Sequence, residues 1–229
     1  MLDMHEGLFI TFEGIDGTGK STQIERAVRY IRSRGRRVVV TREPGGTRSG
    51  ELIREILLAS KTTGLAPLAE LTLMYAARAQ LLEERIRPAL ARGDVVVSDR
   101  FNTASFAYQG YGRELGMDPV KALDRVVCGA TQPDLTIILD LDPVVARDRA
   151  LKRGTRRRAR LDRIEAQGLA FHQRVRAGYL ALARRAPDRI KIVSADQSIE
   201  AIQGQIRALL DQLLAVKARS KMSARRRLR

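Results

Sequence analysis

Short apolar runs alternate along this chain with longer stretches that carry helical spacing. Leu8–Glu13, Val38–Arg42, Val95–Asp99, Leu135–Leu141 and Arg189–Val193 are rich in branched apolar residues, and most are continuous rather than alternating. That is the pattern of strands buried on both faces of a parallel sheet. Between them, helices are predicted over Lys20–Arg34, Leu52–Ala59, Pro67–Arg92, Asp118–Cys128, Pro143–Lys152, Asp162–Arg184 and Ser198–Val216. Gly35 and Gly93 follow two of these stretches, where a helix stop is expected. Read coarsely, strands alternate with helices, which predicts an α/β fold whose right-handed crossovers make every strand parallel and gather ligands at the strands' carboxyl ends. Internal repeats are absent and no linker suggests a second unit. The expected organisation is one domain over 1–216, followed by a basic tail over 217–229 that has few apolar anchors and is expected to fray.

The connection after the first predicted strand carries the most specific chemistry. Gly14-Ile15-Asp16-Gly17-Thr18-Gly19-Lys20-Ser21 is a full match to the GxxxxGK(S/T) phosphate-binding loop, and it stands between a strand and a helix as such a loop must. Glycines let the backbone wrap a polyphosphate with its N–H groups, and the following helix points its positive end at the same anion. A nucleoside triphosphate is the expected ligand. Lys20 would reach its β and γ phosphates, and the Ser21 hydroxyl would sit on Mg²⁺ with Thr22 close by.

Composition places this loop in a soluble enzyme with a substantial core: 229 residues, 44% of them hydrophobic. Apolar runs approaching the ~18 residues of a membrane span are absent, and the first residues lack a charged-then-apolar secretory pattern. A single cysteine, Cys128, allows no internal disulfide, so a reducing cytoplasm is expected. The formal net charge of +16 gathers in Arg147–Arg163 and Lys217–Arg229. The first cluster contains Arg153, Arg156, Arg157, Arg158 and Arg160 between two predicted helices, which suits a movable arginine lid over the phosphates, about 153–161. A solvated basic loop is the alternative.

Other predicted strand ends add complementary groups: Arg42-Glu43-Pro44-Gly45-Gly46-Thr47, Asp99-Arg100-Phe101, and Asp140 with Asp142. Phosphoryl transfer needs this mixture, because cations balance charge on donor and acceptor while carboxylates hold Mg²⁺. Arg42, Arg100 and Arg78 offer phosphate grips beyond Lys20, and two anion sites imply two phosphorylated ligands. Guanidinium forks suit a terminal monophosphate. Phe101, Phe106, Tyr108 and Tyr111 lie close enough in sequence for one to meet a planar base.

Five blocks in this order resemble the thymidylate kinase family of the bacterial type over nearly the whole chain: Phe12–Gln23, Thr41–Thr47, Tyr75-Ala76-Ala77-Arg78, Asp99-Arg100-Phe101 with Ala107-Tyr108-Gln109-Gly110, and Leu161-Asp162-Arg163-Ile164-Glu165. The resemblance implies transfer of the γ-phosphate of ATP to dTMP, giving dTDP and ADP with Mg²⁺. It also implies the P-loop nucleoside monophosphate kinase fold, a five-stranded parallel sheet surrounded by helices, usually as a homodimer. By position, Gly14 to Thr22 would bind ATP, and Asp16, Arg42, Met74, Arg78, Arg100, Ser105, Tyr108 and Gln109 would bind dTMP. Ser21 and Asp99 would lie at the metal. Asp16, Lys20, Arg100, Arg153, Arg156, Arg157 and Arg158 would act in transfer, and Asp162 and Glu165 would face the nucleotide.

Two positions depart from the family pattern. Some members carry an arginine where Gly17 stands and use it on the transferring phosphoryl, which assigns that task here to the lid arginines. Met74 stands where many relatives have a phenylalanine stacked on thymine, and its polarisable sulfur packs a ring face less rigidly. Two other functions remain open from sequence alone. One is a kinase of the same fold acting on another nucleoside monophosphate or a nucleoside; the other is a nucleic-acid-binding protein powered by the nucleotide loop. Against the second, the basic residues cluster in a lid and a tail rather than along a helix face with interleaved aromatics, so no specific nucleic acid is expected.

Overall fold

The computed structural model describes residues 7–62, 64–157 and 162–227, and side chains except those of 153–161 and 218–229. Among the described residues, Leu8–Glu13 (β1), Val38–Arg42 (β2), Val95–Asp99 (β3), Leu135–Asp140 (β4) and Ile190–Ser194 (β5) form one sheet in the order β2-β3-β1-β4-β5. Every pairing is parallel, with Phe12 opposite Asp99 and Glu13 opposite Ile138. The continuous apolar run of β1 divides by the two-residue period of a strand. Leu8, Ile10 and Phe12 enter one core layer, and Phe9 enters the other beside Val96 and Phe101. Because β1 is central and the chain leaves it toward opposite sides, its carboxyl end opens onto the crevice where such sheets bind ligands.

The helices that shape this crevice are Lys20–Ser33 (α1), Arg48–Leu58 (α2), Pro67–Leu81 (α3), Arg87–Ala91 (α4), Asn102–Ser105 (α5), Met117–Val127 (α6), Pro143–Arg157 (α7), Leu169–Arg185 (α8) and Ile199–Arg227 (α9). Helix α1 buries Ile24, Ala27, Val28 and Ile31, a helical stripe facing the sheet. Tyr30 Oη donates to Asp211 at 2.7 Å and ties α1 to α9.

Several boundaries differ from the sequence expectation for identifiable reasons. Pro67–Arg92 is not one helix: a π-helical turn over Leu82–Ile86 divides it. Pro88 lacks an N–H and its ring would crowd the carbonyl four residues earlier. Helix α2 begins four residues upstream of Leu52, because Thr47 caps it by accepting from Gly50 N at 3.0 Å. Asp162 does not open α8: its Oδ1 accepts from Ile164 N and Glu165 N, both at 2.8 Å, in a local turn, and the helix starts at Leu169. Helices α7 and α9 run beyond Lys152 and Val216, through segments without proline. The sequence reading also missed α5 and the π-helical stretch Phe106–Gly112 after it.

Candidate active site

The loop after β1 is built for close approach to an anion. Gly14, Gly17 and Gly19 have positive φ, and a Cβ at Gly17 would stand 2.0 Å from the Ala146 carbonyl oxygen. Thr18 Oγ1 closes the loop on Ile15 O at 2.9 Å. Lys20 Nζ, at the start of α1, donates to Gly14 O and Ile15 O at 3.0 and 3.1 Å and pairs with Asp16 at 3.5 Å. Burial, together with neighbouring Arg100, lowers its pKa, so an anionic partner is electrostatically favoured there.

Arg100, directly after β3, faces this loop. Its backbone is left-handed at φ 71°, a conformation non-glycine residues adopt rarely and mostly at functional positions. Its guanidinium donates to Gly14 O at 2.9 Å, Asp16 Oδ1 at 3.0 Å and Tyr179 Oη at 3.2 Å, and lies over the Tyr108 ring. Behind it, Glu13 is fully buried and accepts from Phe101 N at 2.9 Å and Tyr179 Oη at 2.8 Å. Burial pushes the Glu13 carboxyl up to about 7 against the opposing pull of Arg100.

The opposite wall comes from α3 and the helical stretch after β3. Arg78 is 2% exposed, pairs with Glu43 at 2.7 Å, and donates to Phe101 O and Ser105 Oγ at 3.2 and 3.0 Å. Burial works against its charge, but Glu43 more than compensates and raises its pKa. Tyr75 and Phe101 hold the guanidinium between their rings.

Asp16, Lys20, Arg42, Met74, Arg78, Asp99, Arg100, Ser105, Tyr108 and Gln109 all line one cleft of about 730 Å³. Arg78 Nη1, Glu43 Oε1, Asp99 Oδ1 and Tyr108 Oη are buried in it with no hydrogen-bond partner in the described structure. Buried polar groups are normally paired, so four orphans in one cleft mark a place shaped for a polar ligand. Ser21 lies on the exposed side of α1 and shares a neighbouring cleft with Asp99 and Arg42. Oxygen donors from one hydroxyl and one carboxylate, with phosphate oxygens completing the shell, suit Mg²⁺.

Sequence reasoning placed Asp140 and Asp142 on the same rim, and the structure occupies them otherwise. Arg176 holds Asp140 with two bonds at 2.7 and 2.9 Å and reaches Asp142 at 3.6 Å, a structural ion pair. Asp162 lines the cleft, whereas Glu165 faces a smaller pocket beside Asp16 and His172. Arg158 lies outside the described residues, as do the side chains of Arg153, Arg156 and Arg157. Among residues given no individual role from sequence, Arg54 lines the cleft and donates to Pro44 O at 2.8 Å, and Glu43 holds Arg78. The Glu-Pro-Gly-Gly motif signalled Glu43; nothing local distinguishes Arg54 among the arginines of a basic chain.

The family model described as thymidylate kinase matches residues 12–206, most of the chain. This chain belongs to the thymidylate kinase family. A thymidylate kinase of Pseudomonas putida strain GB-1 is 50% identical over 204 residues, covering 89% of this chain and 95% of the relative. One from Exiguobacterium is 47% identical over 200 residues, covering 87% and 92%. The crystal structure of thymidylate kinase from Ehrlichia chaffeensis superposes with a TM-score of 0.72 at 31% identity, covering 90% of this chain and 98% of that one. The parallel sheet and its surrounding helices are thus the P-loop kinase fold of the thymidylate kinases.

Proposed function

We infer that this chain transfers the γ-phosphate of ATP to dTMP, giving dTDP and ADP. The observation that carries the reading is a single cleft with a phosphate-binding loop on one side and buried guanidinium groups on the other, joined where Arg100 bonds both Gly14 and Asp16. In transfer, an oxygen of the dTMP phosphate forms a bond to the γ-phosphorus as the bond from that phosphorus to the β–γ bridging oxygen breaks. A general base is unnecessary, since the attacking phosphate oxygen is already ionised near neutral pH. Catalysis then rests on positioning and charge.

The amides of Gly14 to Thr22 and the Lys20 ammonium hold the donor, while Arg42 and Arg100 hold the acceptor phosphate in line. Asp16, bonded to Arg100 and paired with Lys20, fixes the two cations relative to each other. Arg78 adds a third guanidinium on the acceptor-phosphate side, Ser105 and Gln109 line the base pocket with Met74 against the ring, and Tyr108 lies under the sugar. Ser21 and Asp99 would hold Mg²⁺, which supplies charge neutralisation when bound. The arginines of 153–161 would close over the phosphates, excluding water and supplying the cation that Gly17 does not. We assign these tasks to a kinase domain over 1–216 acting as a homodimer in the cytoplasm, with 217–229 as a basic extension.

A coupled ADP-release assay with ATP, Mg²⁺ and each of dTMP, dUMP, dCMP and dAMP tests the reading. Turnover with dTMP well above the others is expected. ATP turnover indifferent to dTMP would overturn it.

A further inference from the structure

Behind Gln109, which lines the cleft, lies a buried carboxylate to which the reaction above gives no role. Glu70, in the first turn of α3, is 1% exposed and makes four short contacts. Its Oε1 accepts from Gln109 Nε2 at 2.8 Å and Arg113 Nε at 3.2 Å, and its Oε2 accepts from Arg113 Nη2 at 3.0 Å and Arg163 Nη2 at 2.7 Å. Gln109 lies in the π-helical stretch before α6, Arg113 directly follows that stretch, and Arg163 lies in the turn before α8, so one carboxylate ties α3 to both segments. Burial alone would raise its pKa, but the hydrogen bonds from Arg113 and Gln109 hold it below the usual carboxylate value.

An ionised carboxylate can only accept hydrogen bonds. The amide of Gln109 must therefore turn its NH₂ toward Glu70, which removes the ambiguity that amides otherwise carry. Gln109 lines the cleft, and in the described structure its Oε1 has no hydrogen-bond partner. We propose that Glu70 is a positioning residue for base selection, which locks the Gln109 amide so that the cleft is offered a carbonyl acceptor rather than a donor. Such an acceptor pairs with a base carrying a ring N–H, as thymine and uracil do at N3. It opposes the bare ring nitrogen that cytosine presents at the same edge, leaving two acceptors face to face.

This proposal rests on the assignment of the cleft to dTMP, and its test separates the two. The variant is Glu70→Gln, whose own amide can donate or accept and so releases Gln109 to flip. The measurements are KM for dTMP and dUMP and the Ki of dCMP against dTMP phosphorylation, for wild type and variant. In E70Q the ratio of the dCMP Ki to the dTMP KM is expected to fall about tenfold or more, because one misdirected hydrogen bond no longer opposes cytosine. The dUMP to dTMP ratio stays unchanged, since both carry the N3–H. If Glu70 is merely a structural ion-pair anchor, all three acceptors weaken together and the dCMP ratio does not move, which overturns the proposal. Should E70Q fail to fold, Glu70→Asp, which keeps the charge but draws the carboxylate back by one methylene, reads the same ratio: a fall supports the lock, and constancy refutes it. A wild-type enzyme that ignores dTMP would instead refute the assignment of the cleft.

Discussion

Glu13→Gln isolates the energetic consequence of burying a carboxylate behind the phosphate-gripping rim. Glu13 is 0% exposed at the carboxyl end of the central strand, and burial holds its carboxyl at about 7 instead of the ordinary 4.5. A raised carboxyl binds its proton more tightly in the folded state, so its stabilising contribution is full below about 4.5 and is lost as pH rises through about 7. At about 1.4 kcal/mol per tenfold in proton affinity, wild type loses roughly 2 to 3 kcal/mol from this group between pH 5 and pH 8. Glutamine is neutral throughout and retains a carbonyl oxygen for the Phe101 amide, which bonds Glu13 at 2.9 Å. The assay is urea unfolding of both proteins at pH 5, 6, 7 and 8. Relative to wild type, E13Q should gain roughly 2 to 3 kcal/mol across that range, whatever the offset at pH 5. Other titrating groups are common to both proteins and cancel in the comparison. Parallel stability curves would show that Glu13 is already ionised in the folded protein at pH 5, and the desolvation argument would fail.

Three further outcomes follow from the site. Lys20→Ala should lower dTMP-dependent ADP release at least about hundredfold while the circular dichroism spectrum is preserved, because among the described residues the Lys20 ammonium bonds only loop carbonyls and Asp16. Gly17→Ala should lower the unfolding temperature and weaken ATP binding in calorimetry: φ of +89° costs a side chain about 1–2 kcal/mol, and a Cβ 2.0 Å from Ala146 O must also displace α7. The same obstruction applies to arginine at this position, so unchanged stability in G17A would remove the steric reason for a glycine there. Arg78→Met should cost about 3–5 kcal/mol in denaturant unfolding by stranding the Glu43 charge, 5% exposed, and a second change of Glu43→Gln should recover much of that loss. Additive losses in the double variant would count against a coupled pair.

The sheet and the donor loop were legible in the chain because their causes are local. Val95–Asp99 is strand-forming wherever it sits between two layers, and Gly14 to Ser21 carries its own turn geometry and its own amides. Tertiary structure alone decided what stands opposite. Strand order brought Phe12 beside Asp99, so Arg100 meets Asp16 across 84 positions, and no short-range pattern encodes that approach. Asp140 and Asp142 looked like site acids until a helix laid Arg176 against them. The π-helical stretches escaped the sequence because a single extra residue in a helical turn leaves the apolar spacing nearly unchanged, and only Pro88, next to the first, signals a break. Glu70 and Gln109 lie 39 positions apart, and neither names its partner. Propensity and motif act over a few residues, whereas pairing of buried charges is settled by which surfaces the finished core leaves facing each other.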